Sequence, residues 1–236
     1  MKVMTFNIQH CLDYKKNKIN IPLFVDTIKQ CGADICGLNE VRGKGHLFGY
    51  TDQTNALGDG LSFNRYFAEA IKVNGRGPYG NAVVSRYPLK SAETVKIPDP
   101  DDKNADGSFE TRCVLKSIVD VEGKEVCVLV CHMGLENSER VNAVASLCKI
   151  IDEIKTPLIL MGDFNTTPDN EVLKPLYQRL NDTDLMADKK GAFTYPSYNP
   201  EKKIDYIFYR GLTCKNVITV SEIVSDHFPI IAEFYL

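Results

Sequence analysis

The chain has 236 residues, of which 44% are hydrophobic and 25% are charged, a composition that excludes disordered, collagen-like and coiled-coil proteins. Its 28 basic and 31 acidic side chains give a net charge of −3, which excludes a bulk positive field able to collect polyanions, so any phosphate must be held locally. The longest apolar run is the six residues from Val126 to Cys131. Because a membrane-spanning helix needs roughly 18 or more, we expect a soluble protein without a transmembrane segment.

The chain begins with a predicted strand over residues 2–8, followed by a clearly delimited helix. Asn20 is a typical helix cap, Pro22 suits the first turn, and Gly32 is typical of a helix end. A second strand is predicted directly afterwards, over residues 35–38.

Residues 42–78 are predicted to form loops and a helix, and a glycine-rich segment follows. Residues 75–80, Gly-Arg-Gly-Pro-Tyr-Gly, match the G-x-G-x-x-G pattern of dinucleotide sites, but in such sites the pattern opens a helix. Here a strand is predicted next, over residues 82–85. The glycines therefore indicate a hairpin or a loop and not a cofactor site.

A second misleading motif begins at Asp102. This residue, Asn104 and Asp106 are spaced like the first ligands of a calcium loop. Cys113, however, occupies the position at which such a loop requires glutamate. We interpret the segment as a solvated acidic loop.

The second half of the chain alternates further strands with helices. Strands rich in Val, Ile, Phe and Tyr are predicted over 114–121, 125–132, 158–161, 205–209 and 230–234. A helix over 139–155 has apolar residues at helical spacing and stops before a proline. A third helix is predicted to begin at residues 167–169, with Pro175 as a kink or a break.

Strands and helices interleave without strict alternation, which favours a mixed-sheet α/β sandwich over a barrel. We detect no repeat, no low-complexity tract and no long linker, so we expect one domain over residues 1–236. The eight cysteines are too few for a disulfide scaffold, and residues 1–6 lack the apolar segment of a signal peptide. We therefore expect a cytoplasmic location with buried, inert thiols.

Polar side chains cluster at or beside the ends of five predicted strands. They are Asn7, Glu40, His132, the pair Asp163 and Asn165, and the pair Asp226 and His227. Singly, each has an ordinary structural explanation as a cap, a solvated group or a hydrogen-bonded histidine. Together they offer the oxygen ligands that Mg²⁺ prefers and imidazoles for proton transfer. The chain has no paired His/Cys spacing for zinc and no Gly-x-Ser-x-Gly motif, so the set suits hydrolysis of a phosphate ester by activated water.

With this set of residues the chain resembles the endonuclease/exonuclease/phosphatase superfamily, which includes pancreatic-type DNase, neutral sphingomyelinases, deadenylases and inositol polyphosphate 5-phosphatases. The matching segments follow the family's order along nearly the whole chain. They are 5–8 (Thr-Phe-Asn-Ile), 37–41 (Gly-Leu-Asn-Glu-Val), 79–86 (Tyr-Gly-Asn-Ala-Val-Val-Ser-Arg), 111–112 (Thr-Arg), 131–133 (Cys-His-Met), 162–165 (Gly-Asp-Phe-Asn), 204–207 (Ile-Asp-Tyr-Ile) and 225–229 (Ser-Asp-His-Phe-Pro). The resemblance implies a DNase I-like fold, a four-layer α/β/β/α sandwich of two mixed sheets flanked by helices.

The resemblance also implies roles for individual residues and a Mg²⁺ or Mn²⁺ cofactor. Glu40 would be the principal metal ligand, with Asn7 nearby and Asp226 completing or supporting the metal environment. The catalytic groups would be Asp163 and Asn165, which position or deprotonate the attacking water, together with His132, His227 and the Asp205 carboxylate that holds the His227 ring. Phosphate oxygens would be bound by Arg112, Asn165 and His132. Whether Asp163 or His227 is the base stays open.

One departure from the family concerns His132. In DNase-like members a carboxylate supports this histidine from the region aligned with residues 79–81, and no acid occurs there in this chain. His10, His46 and Gln53 are further candidates for substrate contact.

We therefore expect a Mg²⁺- or Mn²⁺-dependent hydrolase of phosphodiester or phosphomonoester bonds, acting as a monomer without an obligate protein partner. The substrate would be a small molecule, a lipid head group or nucleic acid, with the first two slightly preferred over duplex DNA. This preference rests on the acidic residues between Asp99 and Glu110, which would repel a long polyanion if they lay near the site, and on the absence of tryptophan for base stacking. The alternatives are a DNA or RNA endo- or exonuclease of the same family and a non-catalytic protein that binds a phosphorylated ligand.

Overall fold

Two six-stranded mixed sheets form the centre of the protein. The computed structural model describes residues 1–73, 75–101, 107–186 and 192–236. Its strands, in chain order, are β1 (Lys2–Asn7), β2 (Leu12–Asp13), β3 (Lys18–Ile19), β4 (Ile35–Arg42), β5 (Asn64–Val73), β6 (Gly77–Ser85), β7 (Leu89–Lys96), β8 (Cys113–Val121), β9 (Lys124–His132), β10 (Leu158–Asp163), β11 (Asn181–Asp182), β12 (Asp205–Arg210), β13 (Thr213–Thr219) and β14 (Ile230–Tyr235). The helices are α1 (Ile21–Cys31), α2 (Gln53–Leu61), α3 (Asn137–Glu153) and the single turn α4 (Lys174–Tyr177).

The two sheets repeat one plan. The first sheet has the strand order β13-β14-β1-β4-β6-β5 and the second has the order β11-β12-β10-β9-β8-β7. In each sheet the central pair is parallel, β1 with β4 and β9 with β10, and the other pairs are antiparallel. A parallel pair needs a crossover connection, and α1 and α3 provide it. Within each parallel pair, the two strands therefore end on the same side of the sheet, where their last residues can carry functional groups.

Side chains alternate between two faces along each strand and so define the layers. Val3 of β1 and Val128 of β9 belong to a buried cluster between the sheets. Phe6 of β1 instead packs with α1 and α2 on the outer face of the first sheet, and Leu129 of β9 packs with α3 and α4 on the outer face of the second. The result is the predicted four-layer α/β/β/α sandwich.

The first helix has the predicted ends, because the Asn20 side chain accepts a hydrogen bond from the Leu23 N–H and Gly32 adopts a left-handed conformation with φ 64°. The third predicted helix is wrong in its start and extent. The chain forms a 3-10 turn at Glu171–Leu173 and then only the turn α4. Pro175 lies in the first turn of α4, where proline is tolerated, and so does not kink a longer helix.

The residues of the G-x-G-x-x-G match form the turn and the first part of β6 in a hairpin with β5, as predicted. The segment that resembles a calcium loop includes residues 102–106, which lie outside the described residues. All eight cysteines are free thiols, and burial raises the pKa of those inside the sheets, such as Cys36 and Cys131. In the described part of the chain, no helix combines the length and the apolar character needed to cross a membrane.

Candidate active site

A crevice of about 860 Å³ opens where the parallel strand pairs of both sheets end. Asn7 is the last residue of β1, His132 the last of β9, and Asp163 the last of β10. The strand registers place Asp163 directly between His132 and Asp205 on neighbouring strands. The backbone pairing of three strands therefore aligns three of the predicted site residues in one row.

Glu40 is presented to the crevice by an irregularity in β4. The pairing of β4 with β6 shifts between Leu38 and Val41, and Glu40 has a left-handed backbone with φ 59°. Such bulges redirect side chains next to functional sites, and a left-handed conformation in a non-glycine residue is strained. The Glu40 carboxylate accepts hydrogen bonds from Asn7 Nδ2 at 2.9 Å and from the Tyr79 hydroxyl at 2.8 Å. Both partners hold the carboxylate in position.

The buried Asn39 side chain connects the two sheets beneath the crevice. Its Oδ1 accepts a hydrogen bond from the backbone N–H of Asp163 at 2.9 Å. Its Nδ2 donates to the backbone carbonyl of Cys131 at 3.1 Å and to Asn81 Oδ1 at 2.8 Å. This one amide therefore fixes the end of β10 relative to β4 and β6.

Asp163 lies at the centre of the site and is only 2% exposed. Its Oδ2 accepts a hydrogen bond from Asn7 Nδ2 at 3.1 Å and lies 3.5 Å from His132 Nε2 and 3.6 Å from His227 Nε2. The preceding Gly162 has φ 144°, and a Cβ added there would lie 1.8 Å from the carbonyl oxygen of Cys131. Only glycine fits the backbone that delivers Asp163 to this position.

His227 is oriented from below by Asp205. Its Nδ1 lies 2.9 Å from Asp205 Oδ2, a pairing that leaves Nε2 facing Asp163 and the crevice. The Tyr195 ring packs against the imidazole with a centroid distance of 4.8 Å. Because the second ring nitrogen is already engaged, the reactive edge of His227 is fixed.

His132 and its neighbours form the opposite wall. His132 Nδ1 lies 3.3 Å from an Arg112 guanidinium nitrogen, and Nε2 lies 3.1 Å from Asn165 Nδ2. Arg112 also pairs with Glu110 at 3.1 Å. Residues 79–81 provide no acid for His132; instead, Asp163 is the carboxylate beside its ring.

The titration properties of the buried groups differ sharply. Burial raises the pKa of Asp163 to about 7 despite the opposing charge of His227. Burial alone would lower the pKa of His227, but the carboxylates of Asp205 and Asp163 raise it to about 10. Burial and the Arg112 charge hold the pKa of His132 well below its usual value. Asp163 thus lies between His227, which is protonated at neutral pH, and His132, which is neutral.

The side chains at the mouth of the crevice fit a divalent cation. Glu40 and Asp226 both face the crevice, and one Asp226 oxygen accepts a hydrogen bond from the neighbouring Ser225. Burial raises the pKa of Asp226, and the nearby charge of Glu40 raises it further, although His227 opposes both effects. Two carboxylates in mutual repulsion are the donor set that a bound Mg²⁺ would stabilise.

A second cluster of metal-ligand types consists of Asp163, Asp205 and His227, whose atoms lie within 4.8 Å of one another. Its members are buried, and the Asp205–His227 contact already occupies the Nδ1 atom. Glu40 and Asp226 are the better candidates for cation ligands, because both line the crevice and are only partly buried.

The structure brings all of the predicted site residues to this one region: Asn7, Glu40, Arg112, His132, Asp163, Asn165, Asp205, Asp226 and His227. Of the three further candidates, His10 lines the crevice, whereas Gln53 is buried beneath it and the exposed His46 does not line it. Glu110 is the described member of the acidic segment that lines the crevice.

Sequence reasoning assigned no role to Tyr79 or Asn39. Both lie in segments that match the family, 37–41 and 79–86, but a tyrosine after a hairpin turn and an amide inside an apolar strand do not by themselves indicate a role. Only the contacts with Glu40 and Asp163 reveal what these residues do.

Known proteins resemble the chain over its whole length. The protein YbhP of Escherichia coli is 28% identical over 253 residues, an alignment that covers 100% of this chain and 96% of YbhP. The structure of an endonuclease/exonuclease/phosphatase family protein from Leptotrichia buccalis has a TM-score of 0.79 at 22% identity, with 100% of both chains covered. A mannosyl-6-phosphatase from Bacteroides thetaiotaomicron has a TM-score of 0.79 at 16% identity, again with 100% of both chains covered.

At these identities the two solved structures establish the shared fold. The sequence profile of the Endonuclease/Exonuclease/phosphatase family matches residues 4–227, a range that includes every site residue described above. Members of this family are generally phosphoester hydrolases that depend on divalent metal ions. The chain belongs to the Endonuclease/Exonuclease/phosphatase family.

Proposed function

We propose that the protein is a Mg²⁺- or Mn²⁺-dependent hydrolase that cleaves a phosphoester bond with an activated water. The observation that carries this proposal is the position of the Asp163 carboxylate. It lies within 3.6 Å of two imidazole nitrogens and is joined through Asn7 to Glu40. A proton-transfer group and the two carboxylates of the proposed cation site thus adjoin each other in one crevice.

Glu40 and Asp226 would hold the metal ion, and Asn7 would keep Glu40 and Asp163 in register by donating to both carboxylates. When bound, the ion would supply positive charge to a phosphate oxygen and to developing charge in the transition state. This division is supported by the accessible carboxylates of Glu40 and Asp226 and by the engagement of Asn7 Oδ1 with the Gln9 N–H.

Asp163 and the protonated His227 would orient the attacking water, and the Asp163 carboxylate would accept its proton, with Asp205 fixing the His227 ring. On the opposite wall, His132 and Asn165 would bind phosphate oxygens, and Arg112 would add a permanent positive charge there. A planar guanidinium suits two phosphate oxygens. The contacts among these wall residues support this arrangement.

The substrate is, on this proposal, a small phosphorylated molecule. The crevice is within the size range of small-molecule sites. Because the site draws on residues from position 7 to position 227 and on both sheets, we also propose that the chain acts as one domain.

The test is hydrolysis of bis(p-nitrophenyl) phosphate and p-nitrophenyl phosphate with Mg²⁺, Mn²⁺ or EDTA. We expect metal-dependent release of nitrophenol by the wild type and a loss of at least about a hundredfold in His227→Ala, as is typical for removal of acid–base assistance. His46→Ala is the matched control, because that histidine is exposed and outside the crevice. Turnover that survives EDTA, or equal turnover in His227→Ala and His46→Ala, would contradict the proposal.

A further inference from the structure

Three side chains on the hairpin side of the crevice have no part in the proposed hydrolysis. His10, Arg42 and Arg76 all line the crevice. They come from three separate segments: the turn after β1, the end of β4 and the turn between β5 and β6. Their convergence is therefore a product of the fold and not of local sequence.

Arg42 and the turn that carries Arg76 both lie beside Tyr50, whose ring packs against two glycines. The Arg42 guanidinium lies 5.1 Å from the centre of the Tyr50 ring, and the Tyr50 hydroxyl donates to the carbonyl of Pro78 at 2.8 Å. A Cβ at Gly45 or Gly77 would lie 2.4 Å or 2.5 Å from a ring carbon. The absence of side chains at these two positions thus lets the ring support Arg42 beside the turn that carries Arg76.

His10 is held next to Arg42 by a second device. Gln9, His10 and Cys11 are three successive non-glycine residues with left-handed backbones, at φ 41°, 46° and 57°. The buried Gln53 donates to the carbonyl of His10 and accepts from the backbone N–H of Arg42 at 3.0 Å. One buried amide therefore stabilises a strained turn and ties it to the end of β4. Strain of this kind persists only where the surrounding structure enforces it, and it clusters at functional sites.

The two arginines of this group differ in their pairing from arginines on the outer surface. Within the described ranges, neither Arg42 nor Arg76 has a carboxylate at ion-pair distance, whereas Arg65 and Arg86 on the outer surface each pair with an aspartate. His10 Nδ1 lies 3.3 Å from the Tyr79 hydroxyl, which in turn donates to Glu40. The group is thus only two contacts away from the residue that would bind the metal.

We propose that His10, Arg42 and Arg76 form a second anion subsite, which binds a negatively charged group of the substrate other than the phosphate that is hydrolysed. The inference rests on the proposed function and narrows its substrate class to small molecules with two anionic groups, such as a bisphosphorylated sugar or polyol. Arg112 serves the reacting phosphate on the His132 wall, and the second subsite serves the rest of the molecule on the Glu40 side.

The experiment measures binding of straight-chain alkanediol bisphosphates with two to six carbons, each compared with the alkyl monophosphate of the same length. Dissociation constants are determined by titration calorimetry in EDTA, so that the proposed metal-dependent hydrolysis does not consume the ligands. We expect at least one bisphosphate to bind at least tenfold more tightly than its monophosphate, well beyond the twofold statistical advantage of two equivalent phosphates. In the double variant Arg42→Gln/Arg76→Gln this advantage falls to about twofold.

Two variants keep the result interpretable. Arg76→Gln alone changes an exposed side chain in a hairpin turn, so it tests the subsite even if the double variant folds poorly. Arg86→Gln is the matched control, because Arg86 pairs with Asp34 and does not line the crevice. No advantage at any length in the wild type, or an advantage unchanged in both crevice variants, would overturn the subsite. Turnover of the nitrophenyl esters separates the two proposals. If the wild type prefers a bisphosphate but does not hydrolyse these esters, only the proposed hydrolase is refuted. If it hydrolyses them but shows no preference for a bisphosphate, only the subsite is refuted.

Discussion

Replacing Asn39 by alanine should loosen the junction between the two sheets and disturb Asp163 without touching the crevice surface. The substitution leaves three buried groups without their partner: the N–H of Asp163, the carbonyl of Cys131 and Oδ1 of Asn81. A buried polar group without a partner costs about 1–3 kcal/mol, so three such groups amount to at least about 3 kcal/mol.

For a chain of this length, each kcal/mol lost from the free energy of unfolding lowers the Tm by roughly 2–4 °C. We therefore expect the Tm of Asn39→Ala to fall by at least about 6 °C, measured by circular dichroism in EDTA. Asn39→Asp should be no better, because a carboxylate can still accept from Asp163 but cannot donate to the other two groups. It also buries a charge without a cationic partner.

The control for this experiment is Asn64→Ala. The Asn64 side chain lies at the surface, where it donates to the carbonyls of Ser85 and Tyr87. Surface substitutions of this kind usually change stability by less than about 0.5 kcal/mol. If the Tm of Asn39→Ala differs from that of the wild type by no more than the Tm of Asn64→Ala does, the proposed role of the Asn39 amide in joining the sheets is refuted.

Three further outcomes follow from the site. Millimolar Mg²⁺ should raise the Tm of the wild type but not of Glu40→Ala, since a ligand at about 100 times its Kd stabilises the folded state by about 2.7 kcal/mol; equal shifts would place the ion elsewhere. Asp205→Asn removes a carboxylate that raises the pKa of His227, so NMR titration in EDTA should find that pKa lower than in the wild type, and an unchanged value would contradict the pairing. Gly162→Ala should fold poorly, because its Cβ would collide with the Cys131 carbonyl at 1.8 Å; a wild-type Tm would show that β10 adapts.

Sequence patterns identified the central strands and missed the edges. Apart from the two-residue strands β2 and β3, the strands absent from the prediction are the four edge strands of the two large sheets: Asn64–Val73, Leu89–Lys96, Asn181–Asp182 and Thr213–Thr219. Edge strands carry charged and polar residues that discourage pairing with other chains, and this obscures the apolar signal by which strands are recognised. The central strands are buried on both faces and keep that signal.

The candidate site was predictable to the extent that its residues lie at or beside the ends of predicted strands. Glu40, Asp163 and His227 stand beside apolar runs in motifs of the family, so their types and order were readable. The contacts that position them were not, because they join distant parts of the chain: the Asn39 bond to Asp163 spans 124 residues. The contact between Arg42 and the Tyr50 ring likewise depends on how a loop packs against a hairpin, which no local sequence pattern specifies.

The hydrogen bonds that join the sheets at the crevice have a consequence for the dynamics of the whole sandwich. Asn7 and Asn39 of the first sheet both bond to Asp163 of the second, and the His227–Asp205 pair makes another such bridge. A molecule bound across the crevice would add one more connection between the same two layers. Its binding should therefore slow amide hydrogen exchange along β4 and β10, including residues that it does not contact. The exchange rates of these buried amides would then report whether the crevice is occupied.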